Sequence, residues 1–370
     1  MLRVGVEASG LVSAKALTGI KRYLACLLEA LAAQAPAENL QLHLYFISPP
    51  RPDEPALARL QPSAWLRWRV APMARGWWRI GMGAAMLWDR LHLFHFPAPH
   101  MARFCPVPAV VTVHDLAALS LPPEQTQKER RYLQDALYAC RHAAGLIAVS
   151  RNAADEVERH LGLKATVTYE GVDGQFFQPA SEEAIAALRA QLGVERYVLC
   201  VGTLQQRKNQ VGLLRAFERI QDRISHTLIL AGGEGSGAEA VRAHLAAHPS
   251  VRAKWIGYVS EAQLPALYSG AEAFALPSFW EGFGLPVLEA MACGVPVLTS
   301  NVSSLAEIAG EAALLVDPRD ESALAEGLLR LLTDSALRER LKEAGRARAA
   351  QFTWQQTAQQ TLAVYRRLVK

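Results

Sequence analysis

Short apolar runs alternate with longer amphipathic segments along the whole chain. This alternation is typical of β-α-β units, in which helices join parallel strands that are buried on both faces. In the first half, strands are predicted at Leu2–Glu7, Gln41–Ile47, Leu91–Phe96, Ala109–Val113, Gly145–Val149 and Thr166–Tyr169. The intervening helices include Ile20–Ala33, Glu124–His142 and Arg151–His160.

A second series of the same kind begins at Tyr197. Its predicted strands are Tyr197–Val201, Thr227–Ala231, Ala253–Ile256, Ala273–Leu276, Val295–Thr299 and Ala313–Val316. Predicted helices include Gln210–Gln221 and Gln263–Gly270, and a capping box at Ser304–Glu307 is expected to open a short one. From about Glu321 onward the pattern is almost entirely helical.

The periodicity breaks between the two series, where Gly171, Asp173, Gly174 and Pro179 cluster. At 370 residues the chain is also too long for one ordinary core. We therefore predict an α/β protein of two doubly wound parallel-sheet domains, residues 1–175 and 176–353. Ligands of such sheets bind at the carboxyl ends of the strands.

Composition narrows the class of protein. The chain is 51% hydrophobic and 20% charged, which indicates a globular fold, and its net charge of +4 is too small to indicate nucleic-acid binding. Five scattered cysteines form no C-x-x-C pair, so neither a disulfide framework nor a cysteine zinc site is expected. With no signal peptide or spanning segment recognised, we expect a cytoplasmic protein that can still lie on a membrane surface.

The most informative stretch runs from Glu281 to Glu289, with seven residues between the two glutamates. A glycine-rich loop containing Phe283 and Gly284 precedes a predicted helix that has Pro286 in its first turn and Gly294 just past its end. A loop that enters a helix start presents backbone N–H groups at the positive end of a dipole. Such a site suits an anionic or hydroxyl-rich ligand, although two incidental acids on a buried helix are the simpler alternative.

Other candidate residues follow predicted strands. Gly19 opens a helix, His114 ends a strand, and Gly202 precedes the cations Arg207 and Lys208. Adjacent cations at a strand end can neutralise a diphosphate, and a glycine lets a phosphate approach the backbone. Each candidate also has a simpler structural explanation. Gly19 could belong to an ordinary turn, His114 could be a structural histidine, and the Arg207–Lys208 pair could lie on a solvated loop. The glycines at 232, 233 and 235 do not complete G-x-G-x-x-G and are interpreted as a close-approach turn.

Absent motifs exclude several classes. The sequence has no Walker A motif, no H-E-x-x-H and no Asp-x-Asp pair, so neither a P-loop NTPase nor a metal-held diphosphate is indicated. His92 and His95 have a loose metal-like spacing but point to opposite faces of a strand. No cofactor and no metal are therefore expected.

Tryptophan and arginine are mixed between Trp65 and Ile80, with no acid until Asp89. Aromatic and cationic residues together suit the surface of an anionic membrane. An acceptor pocket or a covered helix would use the same residues, so these three interpretations stay open.

Taken together, these residues resemble the retaining glycosyltransferases of family 4, which have the GT-B fold of two Rossmann-like domains facing across a cleft. The likeness spans essentially the whole chain and is strongest from Tyr258 to Pro318, through the Glu281–Glu289 stretch and Gly310–Leu314. It implies that the final helix, about residues 354–370, packs back on the first domain. Glu170 departs from the family pattern, where asparagine is common.

The resemblance also implies roles for the candidate residues. Gly19 would bring backbone N–H groups near the donor phosphates, and His114 would lie beside the transferred sugar. In the second domain, Arg207 and Lys208 would bind the diphosphate, with Gly202 at their strand end. The sugar hydroxyls would be held by Glu281 and by the backbone at Phe283, Gly284 and Leu285. Glu289 would accept a hydrogen bond from the ribose. The backbone near Tyr258 and Val259 would border the base.

The implied activity is metal-independent, retaining transfer of a hexose from a nucleotide-diphosphate sugar to a glycan or a polyprenyl-linked glycan. The sequence around Glu281–Pro318 resembles that of mannosyl- and rhamnosyltransferases of polysaccharide pathways. This resemblance favours GDP-mannose or a related GDP-sugar as the donor. An epimerase and a non-catalytic partner that binds nucleotide sugar are the alternatives. The expected location is the cytoplasm, at or near the inner face of the plasma membrane.

Overall fold

The computed structural model describes residues 1–12, 19–51, 55–70, 76–116, 119 and 127–369. The chain divides into two compact units. Unit 1 comprises Met1–Gly171 and Thr353–Lys370, and unit 2 comprises Val172–Phe352. The boundary predicted between residues 175 and 176 lies shortly after this division.

Unit 1 contains a sheet of seven parallel strands. In chain order they are β1 (Leu2–Glu7), β2 (Leu40–Phe46), β3 (Leu66–Val70), β4 (Leu93–Phe96), β5 (Ala109–Val113), β6 (Gly145–Ala148) and β7 (Thr166–Val167). Their order across the sheet is β3-β2-β1-β4-β5-β6-β7, so the direction of winding reverses between β1 and β4. Six of these strands were predicted, and the edge strand β3 was not.

The described helices of unit 1 cover this sheet. They are α1 (Gly19–Gln34), α2 (Met82–Trp88), α3 (Gln127–His142), α4 (Arg151–Leu161) and the last helix of the chain, α13 (Trp354–Leu368). Helix α13 packs on α1. Its buried Tyr365 hydroxyl lies 2.7 Å from His95 Nδ1 in the sheet, so His95 is a hydrogen-bonded core residue.

Unit 2 repeats the architecture with six parallel strands. They are β8 (Tyr197–Val201), β9 (Thr227–Ala231), β10 (Ala253–Trp255), β11 (Ala273–Leu276), β12 (Val297–Ser300) and β13 (Leu314–Val316). The order is β10-β9-β8-β11-β12-β13, with the reversal between β8 and β11. The helices are α5 (Glu182–Leu192), α6 (Gln210–Glu218), α7 (Ala238–Ala247), α8 (Leu264–Ser269), α9 (Leu285–Ala292), α10 (Ser303–Ala309), α11 (Glu321–Thr333) and α12 (Ser335–Ala349).

These sheets confirm the predicted α/β class and the Rossmann-like domains. Strands β11 and β12 are buried at every position, as expected where helices cover both faces of a parallel sheet. Because Ala273 pairs with Val198 across the reversal, the carboxyl ends of β8 and β11 lie side by side. This is where ligands bind in doubly wound sheets.

The chain crosses between the units twice, after Gly171 and after Phe352, and the two crossing segments lie next to each other. The Val172 N–H donates to the Phe352 carbonyl at 3.0 Å. A Cβ added to Gly171 would lie 2.2 Å from the backbone nitrogen of Trp354. Only glycine therefore lets the outgoing and returning segments approach this closely.

The predicted capping box at Ser304 is wrong. Helix α10 begins at Ser303 with Val302 as its N-cap, so Ser304 lies inside the first turn. Its hydroxyl lies within hydrogen-bond distance of two carbonyls of the loop after β11, those of Glu281 and Phe283.

Among the described residues, no helix combines the length and the apolar character needed to cross a bilayer.

Candidate active site

Three of the predicted site residues of unit 2 lie on loops that follow the two strands at the reversal. Arg207 and Lys208 belong to a short 3₁₀ turn after β8, and Glu281 lies on the loop after β11. The sequence separates them by more than 70 residues, but the sheet brings both loops to the same edge. The structure thus brings together three residues that sequence patterns had singled out separately.

One carboxylate pairs with both cations. Lys208 Nζ donates to Glu281 Oε1, and Arg207 Nη1 donates to Glu281 Oε2 at 2.9 Å. The Ser278 hydroxyl also donates to Oε1, at 2.9 Å. Lys208 and Glu281 are each only 7% exposed. Their long side chains are therefore held in a fixed geometry before any ligand arrives.

The charges decide the ionisation of Glu281. Burial opposes a charged carboxylate, but the cations of Lys208 and Arg207 outweigh burial and lower the pKa of Glu281 to about 2. The carboxylate is thus ionised at neutral pH. Two cations share one anion, so the cluster keeps a surplus of positive charge that suits a phosphate ligand.

Backbone contacts join the two loops. The Phe279 N–H donates to the carbonyl of Arg207 at 2.8 Å. In return, Arg207 Nη1 donates to the carbonyl of Trp280 at 2.8 Å, and its Nε donates to Gln205 Oε1 at 3.0 Å. Arg207 is therefore anchored through both its backbone and its guanidinium.

Hydroxyl groups from the next strand and helix support the Glu281 loop, and sequence reasoning missed them. Thr299 donates to the Leu276 carbonyl at 2.8 Å, and Ser300 donates to the Ser278 carbonyl at 2.7 Å. Ser304 lies 2.8 and 2.9 Å from the carbonyls of Glu281 and Phe283. The signal was the group of hydroxyl residues at the end of β12 and the start of α10, which satisfies carbonyls that the fold buries.

The loop-to-helix transition at α9 has the predicted geometry. Gly284 is the N-cap at φ +115°, and a Cβ there would also lie 2.8 Å from the Leu305 side chain. A side chain is therefore excluded for two reasons. The backbone at Phe283, Gly284 and Leu285 lies at the start of α9, where N–H groups gather.

The end of α9 is also as predicted. Gly294 has φ +72°, and its N–H donates to the carbonyl of Met291 at 2.9 Å. The next N–H, from Val295, donates to the carbonyl of Ala290 at 2.9 Å. This is a Schellman motif, the common glycine-dependent helix ending.

Glu289 lies on α9 and is 3% exposed. Its Oε2 accepts a hydrogen bond from the Tyr268 hydroxyl at 2.7 Å, so Tyr268 is a supporting residue that the sequence did not reveal. Tyr258 and Val259 lie on the loop after β10. Strand β9 separates β10 from β8 in the sheet, and Tyr258 is half exposed.

The glycines of neighbouring loops have a packing role. Gly202 has φ +150°, and an added Cβ would lie 3.0 Å from the Lys208 side chain. At Gly232, an added Cβ would lie 2.1 Å from the Gly202 carbonyl oxygen. The interpretation of the glycine-rich loop as a close-approach turn is confirmed, since it packs on the loop that carries the two cations.

In unit 1, His114 is buried at the end of β5 between two acceptors. Its Nε2 lies 2.9 Å from the carbonyl of Pro97, and its Nδ1 lies 3.4 Å from Glu170 Oε1. The Tyr23 ring packs edge-on against it at 4.7 Å. Glu170, the departure from the family pattern, thus contacts the histidine that the resemblance singled out.

Gly19 is the first residue of α1 and is exposed. A Cβ added there would meet nothing within 4 Å. Among the described residues, packing therefore gives no reason for glycine at this position.

The tryptophan- and arginine-rich segment is partly structural. Residues 66–70 form β3 rather than a covered helix, and Trp68 donates to the Leu60 carbonyl at 2.8 Å. Arg69 forms a double hydrogen bond with Asp89. Residues 71–75 lie outside the described residues.

Comparison with known proteins agrees with this architecture. A family model for "Glycosyl transferases group 1" matches residues 170–348, and a model for "Glycosyltransferase Family 4" matches residues 17–176. The O-antigen chain mannosyltransferase B of Escherichia coli is 36% identical over 270 residues, which cover 70% of each chain. A glycogen synthase of Mycobacterium tuberculosis is 30% identical over 304 residues, 78% of this chain and 69% of that one.

Two solved structures show the fold. Sucrose-phosphate synthase from Thermosynechococcus elongatus has a TM-score of 0.79 at 25% identity, covering 100% of this chain and 99% of that chain. Anabaena HepE in complex with UDP and glucose has a TM-score of 0.77 at 20% identity, with 100% of both chains covered.

Two Rossmann-like units of parallel sheet, with these structural neighbours, define the GT-B class of α/β proteins. The chain belongs to the family 4 glycosyltransferases. It is accordingly an enzyme of glycosyl transfer.

Proposed function

We propose that the protein is a retaining mannosyltransferase that transfers mannose from GDP-mannose to a growing, lipid-linked glycan of an O-antigen. The observation that carries this proposal is the 36% identity to the Escherichia coli O-antigen chain mannosyltransferase B over 70% of both chains. Other relatives have different specificities, among them a D-inositol 3-phosphate glycosyltransferase of Corynebacterium glutamicum at 33% identity over 55% of this chain. The donor must therefore be tested directly.

The cation cluster supports the proposed chemistry. Breaking the bond between the sugar and the diphosphate leaves negative charge on the departing phosphate oxygen. Arg207 and Lys208 are held ready to stabilise that charge, and preorganised donors of this kind lower the barrier without rearranging during the reaction. In this scheme no metal ion is required for the leaving group.

Retention would follow if the acceptor attacks the face that the leaving group vacates. The acceptor hydroxyl forms the new bond to the anomeric carbon as the bond to phosphate breaks. Its proton passes to the departing phosphate oxygen. No protein nucleophile takes part in this scheme.

The structure refines the role that we propose for Glu281. Its carboxylate already accepts from Lys208, Arg207 and Ser278, and a carboxylate has about four acceptor sites. We therefore propose that Glu281 chiefly positions the two cations, with capacity left for one sugar hydroxyl. The backbone at Phe283, Gly284 and Leu285 would hold the other hydroxyls.

The remaining roles follow the family resemblance. Glu289 would accept from the ribose, with Tyr258 and Val259 near the base and Gly202 leaving room for the Lys208 side chain. Gly19 would let a phosphate approach the start of α1, and no described residue lies within 4 Å of a Cβ added there. His114 would lie beside the transferred sugar.

We also propose contact with the cytoplasmic face of an anionic membrane. Ile80, Leu87 and Trp88 are 68%, 56% and 84% exposed, and with exposed Ala84 they form an apolar stripe along and just before α2. Exposed large apolar side chains in such a group mark interaction surfaces. Because the proposed acceptor is lipid-linked, a membrane is the occupant that fits.

The decisive test combines donor binding with product analysis. GDP, UDP, dTDP and ADP are compared by thermal shift, and a ligand at 100 times its Kd adds roughly 2.7 kcal/mol of stability. GDP is expected to give the largest shift. Transfer from GDP-mannose to a lipid-linked acceptor is then followed by NMR, with an α-linked product expected. A larger shift with another nucleotide, a β-linked product, or turnover of the donor sugar to its epimer without acceptor would contradict the proposal.

A further inference from the structure

A cluster of two histidines and one glutamate lies at the opposite end of α6 from the candidate active site. Glu218 is the last residue of α6, His244 lies in the last turn of α7, and His248 caps α7. Residues four apart on a helix share a face, and the two imidazole rings stack with their centroids 4.4 Å apart. Helix packing brings Glu218 against both of them.

The distances suit a metal ion. Glu218 Oε1 lies 2.7 Å from His248 Nδ1, and Oε2 lies 3.7 Å from His244 Nε2. One ligand atom from each of the three residues lies within 4.8 Å of the others. Ligand atoms around tetrahedral zinc, bound at about 2.0–2.1 Å, are about 3.3 Å apart. Small side-chain adjustments would therefore complete three coordination bonds.

One atom of the cluster independently indicates a missing ligand. The His244 side chain is 8% exposed. Its Nε2, the atom that faces Glu218, has no hydrogen-bond partner among the described residues. Buried polar atoms are nearly always satisfied in folded proteins. A metal bound to this nitrogen would satisfy it.

The arginines beside the cluster pair with a carboxylate outside it. Arg215 and Arg219 line the same cavity of about 370 Å³. Both guanidiniums pair with Glu321, at 3.1 and 3.2 Å. Glu321 holds both guanidiniums and offsets one of their two charges, so Glu218 is left to the two histidines.

We propose that Glu218, His244 and His248 form a zinc site that fastens the end of α6 to the end of α7. Two imidazoles and a carboxylate are a common ligand set for Zn²⁺. Helix α6 has nine residues and begins directly after the Arg207–Lys208 turn, so the site lies roughly 13 Å from that turn along the helix. It is a structural site separate from the sugar-transfer chemistry. Sequence reasoning missed it because the ligands are neither cysteines nor an H-E-x-x-H motif.

The test uses the full chain without a histidine tag, stripped with EDTA. Titration calorimetry with ZnCl₂ is expected to show one ion per chain, and saturating zinc should raise the Tm by roughly 5 °C. Substitution with Co²⁺ is expected to give tetrahedral d–d absorption without a thiolate charge-transfer band. Absence of saturable binding, or a thiolate band, would overturn the proposal.

Variants locate the ion. The side chains of His248 and Glu218 are half-buried, so His248→Gln and Glu218→Gln should leave the fold intact. The His244 side chain is buried, so His244→Gln serves only as a supporting variant. Each should weaken zinc binding about 100-fold or more, since loss of a residue that only supports a metal ligand already costs about 10- to 100-fold. Glu239→Gln, on α7 but outside the cluster, is the matched control and should bind zinc as the natural chain does. Unchanged affinity in both His248→Gln and Glu218→Gln, or an equal loss in the control, would refute the site.

Discussion

The N–H of Phe279 donates a hydrogen bond to the carbonyl of Arg207 at 2.8 Å. This bond ties the loop after β11 to the loop after β8, and the Arg207 guanidinium returns the contact at Trp280. The position of Arg207 is thus fixed before any substrate binds. In the proposed transfer, a fixed cation stabilises the departing phosphate.

The first prediction concerns Arg207→Gln. Because this residue supplies a preorganised cation, kcat for sugar transfer should fall about 10²- to 10³-fold. The side chain is 26% exposed, so the folded state should survive. Steady-state kinetics with the donor identified by thermal shift measure the effect. Arg319→Gln, an exposed cation of the same unit, is the control, and similar losses in both variants would refute the specific role of Arg207.

The second prediction concerns the buried pair of Lys208 and Glu281. Glu281→Gln leaves the buried Lys208 ammonium without its carboxylate and should reduce the free energy of unfolding by about 3–5 kcal/mol. Lys208→Met should cost less, because Arg207 still pairs with Glu281. The double variant removes both charges and should recover most of that loss. Urea denaturation of the four proteins measures the coupling between the two residues. Simple additivity of the two losses would show that the pair does not interact as the structure indicates.

A third prediction follows from the lowered pKa of Glu281. This carboxyl has a pKa of about 2 in the folded chain against an ordinary value of 4.5. Its stabilising contribution is therefore fully present above pH 4.5 and is lost as the pH falls towards 2. The expected loss is about 3 kcal/mol. Denaturation curves at several pH values test this.

The double variant Lys208→Met with Glu281→Gln supplies the control for the pH experiment. It should show a shallower loss of stability over the same range. Some acid sensitivity should remain, because Glu272, paired with Arg196, also has a pKa of about 2. An equally steep loss in the double variant would show that other carboxyls account for the pH dependence.

The fourth prediction concerns His114 and Glu170 in unit 1. His114→Ala should reduce kcat about 10²-fold with little change in donor binding, if the imidazole acts beside the transferred sugar. Glu170→Gln should give a smaller loss, since it removes the carboxylate near Nδ1 but keeps the side-chain volume. Measurement of kcat and of donor Kd separates the two effects. Unchanged kcat in His114→Ala would assign this histidine a structural role.

The fifth prediction concerns the apolar stripe of α2. Replacing Leu87 and Trp88 with serine should reduce co-flotation with anionic liposomes several-fold, because both side chains are exposed and would lose apolar contact with lipid. Replacement of Tyr258, an exposed aromatic of unit 2, is the control. If the natural chain does not float with anionic liposomes, the proposed membrane contact is wrong.

Periodicity alone located most of the fold. Strands such as β1 and β8 were predicted with their observed bounds because they are uninterrupted apolar runs next to clear loop signals. Strand β3 was missed because its arginines and tryptophan obscure the alternation on an exposed edge. Ser304 was misassigned because a capping motif is local, whereas its hydroxyl bonds to carbonyls more than twenty residues away.

The candidate site was only partly accessible from the sequence. Motifs identified Arg207, Lys208 and Glu281 one by one, but nothing local indicates that one carboxylate pairs with both cations. The same holds for Tyr268, which contacts Glu289 only because α8 and α9 pack together. Such partners are set by strand order and helix packing, which a single sequence does not display.

The hydrogen bond between Val172 and Phe352 has a consequence for how such enzymes diversify. Because the first and last residues of unit 2 meet, this unit is one uninterrupted stretch of chain whose termini are neighbours. A recombination event could replace it with the equivalent stretch of a related gene and leave the host's α1–α13 packing untouched. If unit 2 binds the donor as proposed, donor preference would be inherited with that stretch of chain.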